Sequence, residues 1–135
     1  MTLRIAAVLL LISTSAMAAG SSAGYGDSHS LEAIDSIVQR YNASGELFRI
    51  EGQCNWACTL FLRIRNVCID PSAMLSFNVG RDHPRRAEAV YHLMSGYTDS
   101  LRNYLRSSRT MERHDSTTFL GAQMISSFGY RRCPQ

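Results

Sequence analysis

Apolar residues recur along the chain at spacings that predict four helices. They return every three or four positions over 31–41, with Ser30 as N-cap and Gly45 as the terminating residue. The same spacing over 84–107 predicts one long amphipathic helix. A compact apolar segment over 55–62 and a last segment, capped by Thr117 and closed by Gly129, predict the other two.

Short apolar runs between these segments predict the strands. They occupy 46–51, 67–69 and 73–79, and Gly, Pro and Asp residues bound them. Strands this short, interleaved with helices, favour an α/β fold of a single domain. We expect few strands, mostly in parallel pairs, with helices packed on their flanks.

The first 18 residues have the pattern of a secretory signal peptide. Arg4 precedes an unbroken apolar run over 5–12, and Ala16-Met17-Ala18 is a cleavage signature. We therefore expect a periplasmic or secreted protein with no membrane span in its mature part. The Gly/Ser-rich segment 19–30 predicts a flexible leader, and 31–135 the folded domain.

Four cysteines in a small exported domain favour two disulfides over a metal site. They are Cys54, Cys58, Cys68 and Cys133. Four cysteines allow three connectivities, and the sequence does not choose between them. We favour Cys58–Cys68 with Cys54–Cys133, and we expect neither a metal nor another cofactor.

The basic residues are all arginines, and the formal net charge of the whole chain is only +3. Arg102, Arg106, Arg109 and Arg113 could form a basic stripe suited to phosphate or to an acidic partner. The simpler interpretation is a solvated helix face. Since so small a charge gives little electrostatic drive toward a phosphate backbone, we expect no nucleic-acid partner.

Candidate chemistry concentrates around the turn at Gly52. A strand, a tight turn and a helix succeed one another there, and the first helical turn carries the only tryptophan, Trp56. Hydrolases use such a turn to present a nucleophile beside free backbone N–H groups.

Three segments around this turn carry a resemblance to a known family. Residues 52–60 read GQCNWACTL, residues 67–73 read VCIDPSA, and residues 75–78 read LSFN. The chain resembles small exported bacterial proteins that are ClpP/crotonase-like, related to the proteolytic subunit of Clp protease. Their pattern is roughly G-x-C-x-S-A-C-T-L, V-C-[IV]-x-P-x-A and L-x-F-H. The resemblance implies a reduced ClpP/crotonase-like domain.

The resemblance also implies that the two catalytic positions are altered. Trp56 stands where the family has its nucleophilic serine, and Asn78 where it has a histidine base. An indole cannot attack a carbonyl, and a carboxamide cannot accept the proton of a hydroxyl. We expect a vestigial cleft whose candidate residues are Gly52, Gln53, Asn55, Trp56, Ala57, Asn78 and His83.

The expected function is therefore non-catalytic: an exported pseudoenzyme that binds a peptide, protein or small ligand, or assembles with itself through the 84–107 helix. One alternative is a divergent hydrolase in which Cys54 or Cys58 acts as a thiolate. Its base would be His83, His92 or His114. Another alternative is a disulfide-stabilised structural protein of the cell envelope.

Overall fold

Two small three-stranded sheets organise the described part of the chain. A computed structural model describes residues 19–26, 29–80, 82–113 and 115–135, so the predicted signal peptide lies outside the described residues. The first sheet contains three parallel strands in the order β1-β2-β4: β1 (Gly20–Ser21), β2 (Phe48–Ile50) and β4 (Val67–Ile69). The second has the order β3-β5-β6: β3 (Gln53–Asn55), β5 (Met74–Phe77) and β6 (Thr117–Leu120).

Most of the strand pairing is parallel. In the second sheet β3 pairs with β5 in parallel, and only β6 joins antiparallel, with Leu75 opposite Phe119. The expected fold class, a mixed α/β domain with few, short and mostly parallel strands, is thereby confirmed.

Helices cover the sheets. The α-helices are α1 (Leu31–Ser44), α2 (Arg86–Ser95), α3 (Asp99–Ser107) and α4 (Gly121–Phe128). Two 3₁₀ helices span Trp56–Arg63, called here the first 3₁₀ helix, and Thr110–Glu112. Large side chains that are fully buried fill the space between α1, the first 3₁₀ helix and the sheets; they include Ile34, Phe48, Leu60, Phe61, Leu75 and Phe77.

Helix α1 has the boundaries that the sequence predicts. The hydroxyl of Ser30 accepts a hydrogen bond from the backbone N–H of Ala33 at 3.1 Å, which is the N-cap geometry. Gly45 ends the helix with φ 72°, a left-handed conformation that glycine adopts without steric cost.

The start of the described chain is not the flexible leader that we expected. Gly20 and Ser21 pair with β2, and Ser22 is fully buried. The Ser22 hydroxyl donates to the carbonyl of Glu51 at 3.0 Å and accepts from the N–H of Glu51 at 2.9 Å. These hydrogen bonds attach the segment to the sheet, so the domain begins earlier than residue 31.

The prediction of a single helix over 84–107 is wrong, because the helix is interrupted after Ser95. Gly96 caps α2, and Thr98 begins α3 by accepting a hydrogen bond from Leu101 N at 3.4 Å. The Thr98 hydroxyl also donates to the carbonyl of Phe128 at 2.7 Å. This bend turns Tyr97 into the core, where only 4% of its surface is exposed.

The last helix also starts later than predicted. The 117–120 segment alternates in burial, with Phe119 inward and Leu120 outward, and it forms β6 rather than helix. Helix α4 begins at Gly121, where a Cβ atom would meet the carbonyl oxygen of Asp70 at 1.9 Å. Close packing of α4 on the strand end therefore requires glycine at this position.

The disulfide pairing that we favoured is wrong. Cys54 is bonded to Cys58, with Cα atoms 5.1 Å apart, and Cys68 is bonded to Cys133, with Cα atoms 4.7 Å apart. The strand-to-helix turn folds back sharply enough to bring the first pair together. The second pair forms because the C-terminal segment lies beside β4, through a bridge between Ile69 and Arg132.

Candidate functional site

Trp56 occupies a strained turn between β3 and the first 3₁₀ helix. Its φ is 50°, in the left-handed region that bulky residues rarely adopt. Such a conformation costs about 1–3 kcal/mol and persists only where the surrounding structure imposes it. The turn that the sequence predicts at Gly52 does not lead directly into the helix, because Gln53–Asn55 form β3; the chain turns again at Trp56, between β3 and the first 3₁₀ helix.

Three neighbours hold this turn. The Cys54–Cys58 disulfide spans it, and both cysteines are buried. The Thr59 hydroxyl donates to the carbonyl of Trp56 at 2.7 Å. Because that bond uses the only hydroxyl proton of Thr59, Tyr97 must donate the 2.6 Å hydrogen bond to Thr59 Oγ1. Burial raises the pKa of Tyr97 far above its usual value, against the smaller lowering effect of the Thr59 hydrogen bond.

The turn opens onto a cleft at the carboxyl ends of β3 and β5. These strands are parallel, with Asn55 in register with Ser76, so their ends lie at one edge of the sheet. Ligands in α/β proteins bind at this kind of edge. The cleft has a volume of about 610 Å³ and is lined by Asn55, Trp56, Ser76, Asn78, Gly80, Asp82, His83 and Ser116.

The rings of Trp56 and His83 lie against each other in this cleft. Their centroids are 5.5 Å apart and their planes are tilted by 41°. The Nδ1 atom of His83 accepts a hydrogen bond from Arg85 N at 3.2 Å, so in the neutral ring the proton is on Nε2. Both rings also line a second cavity of about 240 Å³, which reaches Asp35 and His92.

His92 belongs to a chain of three side chains. Its Nε2 lies 2.6 Å from Asp35 Oδ2, and its Nδ1 lies 3.2 Å from Arg63 Nη1. Because an arginine has no acceptor, Arg63 donates to Nδ1 and the Nε2–H donates to Asp35. With both nitrogens engaged, the imidazole joins α1, α2 and the first 3₁₀ helix and has no free nitrogen to act as a base.

The structure brings together four of the seven residues expected in the cleft: Asn55, Trp56, Asn78 and His83. The other three do not line it. Gly52 and Gln53 are exposed at the opposite end of β3, whereas Ala57 is buried in the core.

Four lining residues escaped the sequence analysis: Ser76, Gly80, Asp82 and Ser116. Ser76 could have been found, since residues two apart on a strand point to the same face and Asn78 was already a candidate. Ser116 could not, because it reaches the cleft only through the antiparallel pairing of β6.

The described residues hold no free thiol, since all four cysteines are in disulfides. The alternative with a Cys54 or Cys58 thiolate is therefore wrong. Within the described ranges, no Ser or Thr hydroxyl bonds to an imidazole nitrogen; His114 lies outside them. The described part of the chain also contains no cluster of three or more His, Cys, Asp or Glu residues arranged to hold a metal.

Comparisons of the chain with protein-family models, curated proteins and solved structures return no match. The ClpP/crotonase-like resemblance accordingly stays a prediction from the residues that carry it. Among the helices of the described residues, none has the length and apolar character needed to cross a membrane.

Proposed function

We propose that this chain is an exported, non-catalytic binding protein whose ligand stacks on Trp56 in the cleft at the ends of β3 and β5. The observation that carries the proposal is the placement of Trp56. A bulky aromatic residue is held at φ 50° at a strand end, by a disulfide and by the Thr59–Tyr97 hydrogen bonds, beside an open cleft. Strain maintained in this way is typical of functional positions.

The chemistry of the cleft favours a ligand with both a flat apolar face and polar edges. The half-buried indole of Trp56 offers a stacking surface. The Asn78 carboxamide and the Asp82 carboxylate supply hydrogen-bond donors and acceptors around it. A volume of about 610 Å³ is in the range of small-molecule sites, and it also accommodates one or two side chains of a peptide.

Two further points support the proposal, one for binding over catalysis and one for export. Trp56 and Asn78 stand at the positions that the resemblance assigns to nucleophile and base, and neither can perform that step. Two disulfides suit the oxidising periplasm or extracellular space. The chain is thus proposed to be a pseudoenzyme. In it, the turn that carries the nucleophile in ClpP/crotonase-like proteins instead holds a ligand.

The experiment uses the fluorescence of Trp56, the only tryptophan in the chain. Small glycans, nucleosides and short peptides are titrated into the purified protein while indole emission is recorded, and each ligand that changes it is measured again by calorimetry. Asn78→Ala should weaken binding about five- to tenfold, the loss expected for one hydrogen bond of about 1 kcal/mol. Asn103→Ala, on the exposed face of α3, is the matched control and should leave binding unchanged.

Two results would contradict the proposal. One is that ligands bind the wild-type protein and that their affinities are the same in Asn78→Ala or in Trp56→Ala. The other is labelling of a serine by an active-site-directed phosphonate, blocked by a competing ester substrate. That result would establish the divergent hydrolase instead.

A further inference from the structure

Three arginines line a cavity that shares no residue with the Trp56 cleft. Arg63, Arg65 and Arg131 surround a space of about 560 Å³, here called the arginine cavity. It lies where the first 3₁₀ helix ends, beside the C-terminal ends of α2 and α4. None of these arginines belongs to the stripe that the sequence suggested.

The three guanidinium groups are not neutralised by carboxylates. Among the described residues none of them lies within 4.0 Å of an Asp or Glu, and each donates to a neutral acceptor. Arg65 Nη2 donates to the carbonyl of Asn42 at 2.6 Å, and Arg131 Nη2 donates to Asn66 Oδ1 at 2.6 Å. Arg63 Nη1 donates to the carbonyl of His92 at 3.3 Å.

Other arginines of the chain contrast with this group. Five of them pair with a carboxylate: Arg49, Arg85, Arg102, Arg109 and Arg113. The last three belong to the predicted basic stripe, whose charge is therefore largely offset by its own acidic neighbours. Among the described residues Arg40, Arg86, Arg106 and Arg132 also lack a carboxylate within 4.0 Å, but none of them lines the arginine cavity, where three such arginines share one space.

The Arg63 side of the cavity is also preformed. The Arg63 stem crosses the end of α2 at Gly96, where a Cβ atom would lie 2.1 Å from Arg63 Cγ. On the other side, the backbone N–H of Arg65 donates to Asn42 Oδ1 at 2.8 Å, which fixes the start of that side chain. Groups positioned before a ligand arrives lose less conformational entropy when it binds.

The charge of the cavity remains positive after the helix ends are counted. The C-terminal ends of α2 and α4 carry a partial charge of about −0.5 each, which together offset roughly one of the three arginines. Among the described residues, no Asp or Glu lines the cavity. Asp35 is reached only through His92, which lies between it and Arg63.

We propose that the arginine cavity binds a phosphate group, carried by a soluble phosphate compound or by a lipid headgroup. A phosphate presents three oxygens and up to two negative charges, and guanidinium forks bind such oxygens in pairs. A single carboxylate would engage only one fork. The exposed Arg65 and Arg131 would exchange their hydrogen bonds to Asn42 and Asn66 for the phosphate oxygens, while the half-buried Arg63 is already held in place.

The test measures the binding of inorganic pyrophosphate to the purified protein by calorimetry, and of phosphatidylglycerol vesicles by sedimentation. Arg65→Gln/Arg131→Gln should weaken whichever ligand binds by about a hundredfold or more, because two charge-assisted hydrogen-bonded pairs are lost. Arg106→Gln removes one exposed charge from α3, outside the cavity, and should change the affinity less than twofold.

Binding of pyrophosphate alone supports a soluble phosphate ligand, and binding of the anionic vesicles alone supports a lipid headgroup. Phosphatidylcholine vesicles, which have no net charge, should not sediment the protein. The proposal is overturned if the wild type binds neither probe, or if Arg106→Gln weakens binding as much as the double variant does. Asn78→Ala should leave phosphate binding intact, which separates this site from the Trp56 cleft.

Discussion

The indole of Trp56 and the imidazole of His83 lie 5.5 Å apart and form a shared wall between two cavities. The larger cavity is the cleft at the ends of β3 and β5, and the smaller one reaches Asp35 beside α1. A ligand on Trp56 would therefore also contact His83, which was among the residues predicted from the sequence.

This arrangement predicts how Trp56 responds to a collisional quencher. His83→Ala should raise the acrylamide quenching constant of the indole emission, because the imidazole no longer covers that side of the ring. His29→Ala is the matched control: its ring lies against Tyr25 rather than Trp56, and quenching should stay at the wild-type value. Equal quenching in both variants would show that His83 does not shield Trp56.

The hydrogen bonds beneath the turn predict a non-additive mutant cycle. Thr59→Val should lower the free energy of unfolding by about 2–3 kcal/mol, because it leaves the Trp56 carbonyl and the buried Tyr97 hydroxyl without their partner. Tyr97→Phe should cost only about 1 kcal/mol, because the Thr59–Trp56 bond survives.

The double variant should then be less destabilised than the sum of the two single ones, because no phenol remains to be stranded. Urea unfolding of the four proteins measures this. Strict additivity would mean that Thr59 and Tyr97 do not act as one unit.

Burial of Tyr97 predicts a loss of stability at high pH. Its pKa is raised by burial in the folded state, so above about pH 10 the unfolded chain releases this proton first and is favoured. The contribution of the Tyr97 phenol to the free energy of unfolding is fully present below the pKa that the phenol has in the unfolded chain. Above that pH the contribution falls by about 1.4 kcal/mol per pH unit. The pKa of Tyr130 is also raised by burial and adds to the decline.

Tyr97→Phe should make this alkaline decline shallower, as measured by urea unfolding at several pH values between neutral and strongly alkaline. Tyr91→Phe serves as the control, because Tyr91 is 78% exposed and its phenol is hydrated in both states. A wild-type slope in Tyr97→Phe would assign the alkaline sensitivity to other groups.

Removal of one disulfide or the other should affect the stability of the protein and the geometry of the site to different degrees. Cys68→Ala/Cys133→Ala removes a disulfide between residues 65 positions apart in the sequence. It should lower the free energy of unfolding by about 4 kcal/mol, because the unfolded chain gains loop entropy. Cys54→Ala/Cys58→Ala opens a link across only four positions and should cost about 2 kcal/mol.

Removal of the Cys54–Cys58 disulfide should cost less stability than removal of the other one, but it should change the site more. The reason is that this bond spans the strained turn. Its removal should shift the emission maximum of Trp56 in the folded protein. Removal of the other disulfide should not. Identical spectra in the two folded variants would show that the turn does not depend on its disulfide.

The sequence by itself determined the elements whose causes are local. The caps of α1 at Ser30 and Gly45 are set by side-chain and backbone preferences within a few residues. The same holds for β4, which is bounded by residues that interrupt regular structure. Trp56 and Asn78 are predicted as neighbours by the family resemblance, and His83 by its position shortly after the strand predicted over 73–79.

Only the tertiary structure decided the pairings between distant residues. An apolar period suits either a helix or a strand when the segment is short, so pairing with β5 made 117–120 a strand. Burial of Tyr97 against Thr59 placed the break after Ser95. Three-dimensional proximity also chose the disulfide partners and brought Arg131 beside Arg63, since sequence spacing carries no information about contacts that the folded core creates.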